Sequence, residues 1–567
     1  MSNTELALYV LLFAPLASAV ISLGGRFFSS KKAEAAAFVL WLGGSAGGLS
    51  VLASPILSGE TIIVALGGWN APFGIELEIR GLAWVATLTD VVIATAAWLQ
   101  TRRSDRFDSY FYVFFFMALF SLQGTLYTKD LFNLFIWFEV LSLASFALIA
   151  YDGQLSARLA ALRYLLMSSL SVVAFLLGVW VLYYYTGTLS MDLFAGALEE
   201  LSETGSRQAV GLALALVTGG ILTRAAIIPF HTWLPEAHAA APYPVSALLS
   251  GFVIKAPTLA LWRILDYISF PALYSLLIWI GAASALIGVV AAMSQKDAKK
   301  LLGYHSISQM GYIVAAFGMG GGAGKAAALF FIIGHALFKS LLFLTVGEVT
   351  ERAGSRDVYS LRGLGRRYPL QTALYAVAAL SITGIPLFAG YTAKLTVSKA
   401  LGSHPASWLL FAAGIGTVAS FLKLSRIFIG RKAAPERQPG SENGISASQG
   451  NRGSRGLAAF GALVLALGCL LLGIIPARSL ALFQLFVETG GEGLSLTASN
   501  LQWYTPIPLV KAGITILGGI LLSGFLLSPP GKQTAGSLRR SRLGINGSLR
   551  LLTAGFAALI WYGALVF

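Results

Sequence analysis

Apolar runs about twenty residues long, separated by short polar loops, fill the chain from Leu6 to Val566. A helix needs about 20 apolar residues to cross a bilayer, and the pattern predicts about sixteen such spans. They fall at 5–25, 33–53, 82–100, 108–128, 130–151, 159–187, 209–235, 243–266, 270–293, 299–320, 325–350, 370–401, 406–430, 456–476, 506–528 and 547–566. The third is the weakest, because Asp90 interrupts it. Three stretches have a different pattern. Residues 59–80, with ETIIVALGGW and FGIELEIRG, alternate between turn signals and predict an external hairpin. Residues 433–455 form a polar, Gly/Ser-rich linker, and 478–503 an external, partly amphipathic stretch.

Charge sets the expected orientation. Basic clusters occupy every second loop: Arg26/Lys31/Lys32, Arg102/Arg103/Arg106, Arg158/Arg163, Lys296/Lys299/Lys300, 352–367, 431–455 and 532–542. The loops between hold few cations, and one carries Asp192, Glu199, Glu200 and Glu203. Positive loops stay inside, so both termini are expected outside, in a multi-pass protein of the cell inner (plasma) membrane. Charged residues make up 11% of the chain, against roughly 25% in soluble domains. The net charge of +15 is spread over these loops and forms no nucleic-acid patch. One cysteine, Cys469, excludes a disulfide framework. Met1–Glu5 lacks a basic region, so Leu6 onward reads as a first span and not a cleavable leader.

Ionisable residues inside apolar spans are the candidate chemistry, since each costs about 2.5–3.5 kcal/mol to insert. They are Glu139, Arg224, Lys255, His305, His335, Lys339, Lys394 and Lys511. His335 and Lys339 share a helix face, as do His305, Ser308 and Gln309; Arg224 and His231, seven apart, are expected to share one too. Pro229 and Pro386 fall inside charged spans, where each removes a backbone donor. Irregular backbone survives in a membrane only where protein or water satisfies it, so both prolines point to a transport site. Several residues have plainer readings. Lys511 reads as snorkelling from a helix end, Glu236 and His238 as ordinary helix-end residues, and His404 as a loop residue. His231 and His238 lack the Cys or carboxylate cluster of a metal site.

The segments DLFNLFIWFEVLSLASFALIAY, PFHTWLPEAHAAAPYPVSALLSGFVIKA, DAKKLLGYHSISQMGYI, GHALFKSLLFL and TGIPLFAGYTAKL occur in that order. Together they closely resemble the antiporter-like subunits shared by respiratory complex I, membrane-bound hydrogenases and Mrp-type cation/proton antiporters. The resemblance covers roughly residues 60–430, and YHSISQMGY is more similar to the Mrp and hydrogenase branch. It implies an all-α integral membrane protein of about 14–16 transmembrane helices with two inverted five-helix repeats, each with a broken helix. The implied division is N-terminal helices with the hairpin (1–107), a first half-channel repeat (108–266), a second (270–430), the cytoplasmic linker (431–455) and C-terminal helices (456–567). By motif, Glu139 matches the carboxylate of the first half-channel and Lys255 the central lysine. His335 and Lys339 match the continuation of the polar axis, Lys394 the lysine near the second exit, and His305 a channel-lining relay.

Two residues depart from the family pattern. Arg224 stands where the family usually has lysine; its guanidinium stays charged, and its planar fork favours a fixed bidentate partner, expected to be Glu139. Arg80 stands where many relatives have an acidic residue.

The resemblance implies a proton-translocating subunit of a multisubunit membrane complex, most closely an Mrp-type Na⁺/H⁺ antiporter. The implied partners are other membrane subunits, protons, Na⁺ and the bilayer. A proton-pumping subunit of complex I or a hydrogenase is the alternative, followed by a non-pumping scaffold or a coupling subunit for inorganic-carbon uptake. No iron–sulfur cysteine cluster or nucleotide-binding glycine loop occurs, so no cofactor is expected and redox chemistry would belong to partners.

Overall fold

The computed structural model describes residues 2–27, 30–199, 204–267, 271–430, 452–487, 503–540 and 545–566. Helices α1 (Asn3–Gly24) and α2 (Ser30–Leu57) pack together and lead into a hairpin of β1 (Ile62–Ala65) and β2 (Glu76–Ile79), antiparallel with Ile62 opposite Ile79. Then come α3 (Gly81–Thr101), α4 (Ser109–Tyr127), α5 (Leu131–Ala150), α6 (Leu155–Thr186), α7 (Met191–Glu199) and α8 (Thr204–Arg224). Short helices α9 (Leu234–Ala240) and α10 (Tyr243–Leu248) precede α11 (Ala256–Tyr267), α12 (Pro271–Ser294), α13 (Ala298–Phe317) and α14 (Gly321–Arg352). The chain continues through α15 (Pro369–Thr383), α16 (Ala389–Leu401), α17 (Ala406–Ser425), α18 (Arg452–Ile474) and α19 (Pro476–Leu485). It ends in α20 (Pro506–Leu527), α21 (Pro529–Arg540) and α22 (Ile545–Val566).

All sixteen expected segments are occupied by helix, and among the described residues twelve helices are long and apolar enough to cross a membrane. The hairpin at 62–79 is present. The polar linker, the acidic Glu200 and Glu203, and most of the stretch expected at 478–503 lie outside the described residues. The third segment needs correction. It is an unbroken 21-residue helix, α3, and Asp90 is fully buried within it. Most of its apolar window is buried against the rest of the bundle, so one carboxyl does not break it.

Aspartates start several helices. Asp108 accepts from Phe111 N at 3.1 Å, Asp130 from Asn133 N at 2.6 Å, and Asp297 from Lys299 N and Lys300 N at 2.8 and 3.1 Å. Each satisfies donors that the first helical turn leaves free.

Two spans are interrupted. Helix α8 stops at Arg224, Ala226 takes φ 55°, and helix resumes only at Leu234. The freed groups find partners: Ile228 N donates to Ser284 Oγ at 3.1 Å, and Trp233 Nε1 donates to Thr223 O at 2.9 Å. Helix α15 stops at Thr383, where Gly384 takes φ 81°, and α16 starts at Ala389. The first break corrects an expectation. Arg224 and His231 do not share a helical face, because the backbone leaves the helix between them and heptad spacing no longer applies.

The centre is built on α13 and α14. Every residue in the most apolar window of α14 is buried, whereas few residues of α20 are. Helix α13 is too polar to qualify as a span by composition, yet it packs along α12 through glycines. A Cβ on Gly281 would lie 2.5 Å from Ala315 N and 2.7 Å from Gly311 O. Small residues allow this backbone approach, which gains dispersion contacts between helices in lipid. Gly311→Val is expected to destabilise the protein by about 1–3 kcal/mol through overpacking. Thermal unfolding in detergent should show this, with Gly43→Ala, where a Cβ meets nothing within 4 Å, as the silent control.

Candidate functional site

The first group lies beside the α8 break. Arg224 caps the last turn of α8 and is only 7% exposed. Its Nη1 donates to Phe138 O at 3.0 Å and Ser142 Oγ at 2.8 Å, and its guanidinium lies 4.6 Å from the Phe138 ring centre. Glu139 is nearby, with Oε1 3.8 Å from Arg224 Nη2. The expected bidentate pair is therefore absent. Nη1 alone reaches α5's carbonyl and hydroxyl, Nη2 has no hydrogen-bond partner, and the Glu139 side chain is 36% exposed. His231 lies beyond the break, partly buried, with Nδ1 unpartnered.

The second group is a buried file at the centre. Between α10 and α11, Leu249–Val253 forms a π-helical turn. Such a turn widens the backbone and frees a carbonyl; here Lys255 Nζ donates to Ser250 O. Ser250 Oγ meets Ser306 Oγ on α13 at 2.8 Å. Gly251 makes the turn compatible with its neighbours, since a Cβ there would run into Ser340 and Ile93. Lys339 Nζ donates to Leu302 O at 2.5 Å and lies 4.9 Å from the Phe343 ring centre. Lys339 is within electrostatic reach of Lys255, His238, His335 and His305, and His305 in turn of Lys394 and Lys423. Lys255, His238, His305, His335 and Lys339 are all fully buried. His305 Nε2 meets Ser420 Oγ at 2.9 Å, whereas neither nitrogen of His335 or His238 has a protein partner. Unpaired buried imidazoles in a polar file are places for bound water.

The file ends at the second break. Lys394 Nζ donates to Ile382 O at 2.7 Å, a carbonyl released by the interruption, and lies 5.7 Å from the Tyr312 ring centre. Gly384 lies under it, with a would-be Cβ 3.3 Å from Lys394 Cδ. A cavity opens here between α13, α16, α17 and α20, and both Lys394 and Lys511 line it. Lys511, read as snorkelling, is exposed near the start of α20 and also lines this cavity, because α20 packs on α17.

The structure therefore joins Lys255, His335, Lys339, His305 and Lys394 in one file, and sets Arg224 with Glu139 beside it. His231 stands apart from the central file. Sequence reading missed three members. His238 looked like a helix-end residue, and only the packing of α9 against α13 buries it against Phe343, 4.4 Å away ring to ring. Lys423, inside the span expected at 406–430, was passed over, yet it is 1% exposed and donates to Met293 O and Gln295 O at 2.6 and 2.8 Å. The π turn has no compositional signature; the glycine in LLSGFVIKAP was the available hint.

Comparison with known proteins places this geometry. Residues 128–422 match the family described as "NADH:quinone oxidoreductase/Mrp antiporter, TM". NADH-quinone oxidoreductase subunit N of Desulforudis audaxviator is 36% identical over 360 residues, 62% of this chain and 71% of that protein. A Na(+)/H(+) antiporter subunit of Alkalihalophilus pseudofirmus is 30% identical over 383 residues, covering 66% of this chain and 77% of that one. In fold, a chain of the Mrp complex from Dietzia sp. DQ12-45-1b aligns with TM-score 0.75 at 24% identity, covering 91% of this chain and all of that one. A chain of the membrane-bound sulfane sulfur reductase, an archaeal respiratory membrane complex, aligns with TM-score 0.75 at 25% identity, covering 91% and 99%. A buried lysine–histidine file between two interrupted helices, together with this match across half the chain, places the protein in the NADH:quinone oxidoreductase/Mrp antiporter transmembrane family, as a multi-pass membrane subunit.

Proposed function

We propose that this chain translocates protons within a multisubunit Mrp-type Na⁺/H⁺ antiporter of the plasma membrane, with both termini outside. The observation that carries the reading is the way the axial lysines are held. Lys255, Lys339 and Lys394 each donate to a backbone carbonyl, of Ser250, Leu302 and Ile382. A carbonyl accepts a hydrogen bond from an ammonium or from a neutral amine. A lysine held this way can lose or gain a proton without breaking an ion pair. His238, His335 and His305 interleave with the lysines, and imidazole passes protons through either nitrogen.

The two interrupted helices occupy matching places. Helices α4, α5, α6, α8–α9 and α10–α11 form one set of five, and α12, α13, α14, α15–α16 and α17 the other, the fourth member broken in each. We read these as the two inverted repeats and half-channels, 108–266 and 270–430. Glu139 and Arg224 serve the first, Lys394 serves the exit of the second, and Lys255 with His335 and Lys339 connects them. Moving a charge through 100 mV is worth about 2.3 kcal/mol, comparable to remaking one buried polar contact, so membrane potential can drive the file. The exposed flank of Glu139 suits cover by a neighbouring membrane protein of the complex.

The 36% identical relative named as a quinone oxidoreductase subunit supports a second reading, a pumping subunit beside a redox module. Mass spectrometry of what copurifies with the tagged chain separates the two: small antiporter subunits support the first reading, redox subunits the second.

Lys255→Ala and Glu139→Ala are each expected to lower proton-coupled transport in everted vesicles by at least about 100-fold, about 2.7 kcal/mol, while the complex still assembles. Normal transport in either variant would remove that residue from the path. Arg224→Lys is expected to keep or raise activity, and Arg224→Ala to lose it. Equal loss in both would mean that the guanidinium contacts to Phe138 O and Ser142 matter more than the charge.

A further inference from the structure

Asp90 belongs to no part of the file described above, and it lies outside the family-matched segment. Counted from Gly81 at about 1.5 Å per residue, it is roughly 14 Å into α3, near the middle of the membrane. It is 0% exposed, and neither carboxyl oxygen has a hydrogen-bond partner. Among the described residues no cation pairs with it. An ionised carboxylate buried alone costs several kcal/mol, so its surroundings call for a chemical reason.

Register supplies one. Asp90, Ile93, Ala97 and Gln100 follow heptad spacing and share one face of α3. Gln100 Nε2 reaches Tyr243 OH at 3.4 Å and Glu348 Oε2 at 2.9 Å. Ile93, seven residues earlier, meets Gly251 of the π turn, next to Ser340 of α14. Going back along α3, the contacts move forward from Tyr243 to Gly251 but back from Glu348 to Ser340, so the α10–α11 segment is antiparallel to α3 and α14 is parallel to it. One further turn brings Asp90 level with Ile254 and Lys255 on one side and with Leu337, between His335 and Lys339, on the other.

We propose that Asp90 is a proton partner of Lys255. The carboxylic acid's O–H bond breaks as the lone pair of the neutral Lys255 amine forms an N–H bond, directly or through one water. The products are a carboxylate and an ammonium. Acid plus amine, and carboxylate plus ammonium, carry the same net charge of zero, so the exchange leaves no uncompensated charge in the interior. Lys255 has a carbonyl as its protein acceptor, and Asp90 is the unpaired carboxyl at its depth. This gives the central lysine a store for its proton between transfers along the file.

The proposal rests on the proton-translocating reading, so Lys255→Ala is measured alongside. In the assembled complex in everted vesicles, Asp90→Asn is expected to slow proton-coupled transport by about tenfold, or about 1.4 kcal/mol. Asp90→Glu is expected to restore most of the rate. Infrared difference spectra of the purified complex, taken between two pH values, should show a carboxylic-acid carbonyl band that Asp90→Asn removes. Native rates in Asp90→Asn with a dead Lys255→Ala would overturn the role of Asp90 and leave the path standing. Native rates in Lys255→Ala would overturn the path itself. Loss in Asp90→Asn without rescue by glutamate and without the infrared band would make Asp90 structural and end the proposal.

Discussion

Cations buried in the centre of an apolar bundle need acceptors, and here backbone carbonyls supply them. Lys255, Lys339, Lys394 and Lys423 all donate to main-chain oxygen, and Arg224 does so in part. Regular helices use nearly all of their carbonyls internally. Lys339 and Arg224 take carbonyls inside unbroken helices, Leu302 O of α13 and Phe138 O of α5, but two of the lysines are held where a helix is broken or widened. The break after Thr383 frees Ile382 O for Lys394, and the π turn frees Ser250 O for Lys255. At those two lysines, irregular backbone and buried charge are two sides of one constraint.

That constraint also organises the packing. The interrupted segments lean on other helices: Ile228 N of the first donates to Ser284 on α12, and α15 and α16 flank the second and pack on α14, while α13 is too polar to count as a span by composition. Its close approach to α12 depends on Gly281 and Gly311. The ionic ends of the bundle are separate from this centre. Glu78 is shared by Arg80 and Arg263 near the start of α3, and Glu348 pairs with Arg103 and Arg352 near its end. Arg80, which departs from the acidic residue of many relatives, is thus part of an ion-pair cluster and lies away from the file. These clusters fix the ends of the helices, while the middle keeps groups that can exchange protons.

Arg224 shows how a local reading can be right in kind and wrong in detail. Its permanent charge in an apolar run marked the site. Its expected bidentate grip on Glu139 is replaced by Phe138 O, Ser142 and the Phe138 ring. The carboxylate is left loosely held at 3.8 Å. A loosely held acid beside a fixed cation can change partners, which a clamped pair could not do.

The helical segments, the hairpin and most of the charged residues of the file were legible in the sequence, because a bilayer requires long apolar runs and makes each ionisable exception conspicuous. The prolines Pro229 and Pro386 marked the interrupted spans for the same reason. Tertiary structure alone decided what those residues meet. It buried His238 and Lys423, brought Lys511 to the Lys394 cavity, separated His231 from Arg224, and turned Asp90 from a flaw in a weak span into a buried carboxyl level with Lys255. Hydropathy reports the cost of placing a charge in the membrane. Which carbonyl, ring or neighbouring charge offsets that cost is set by helices distant in sequence.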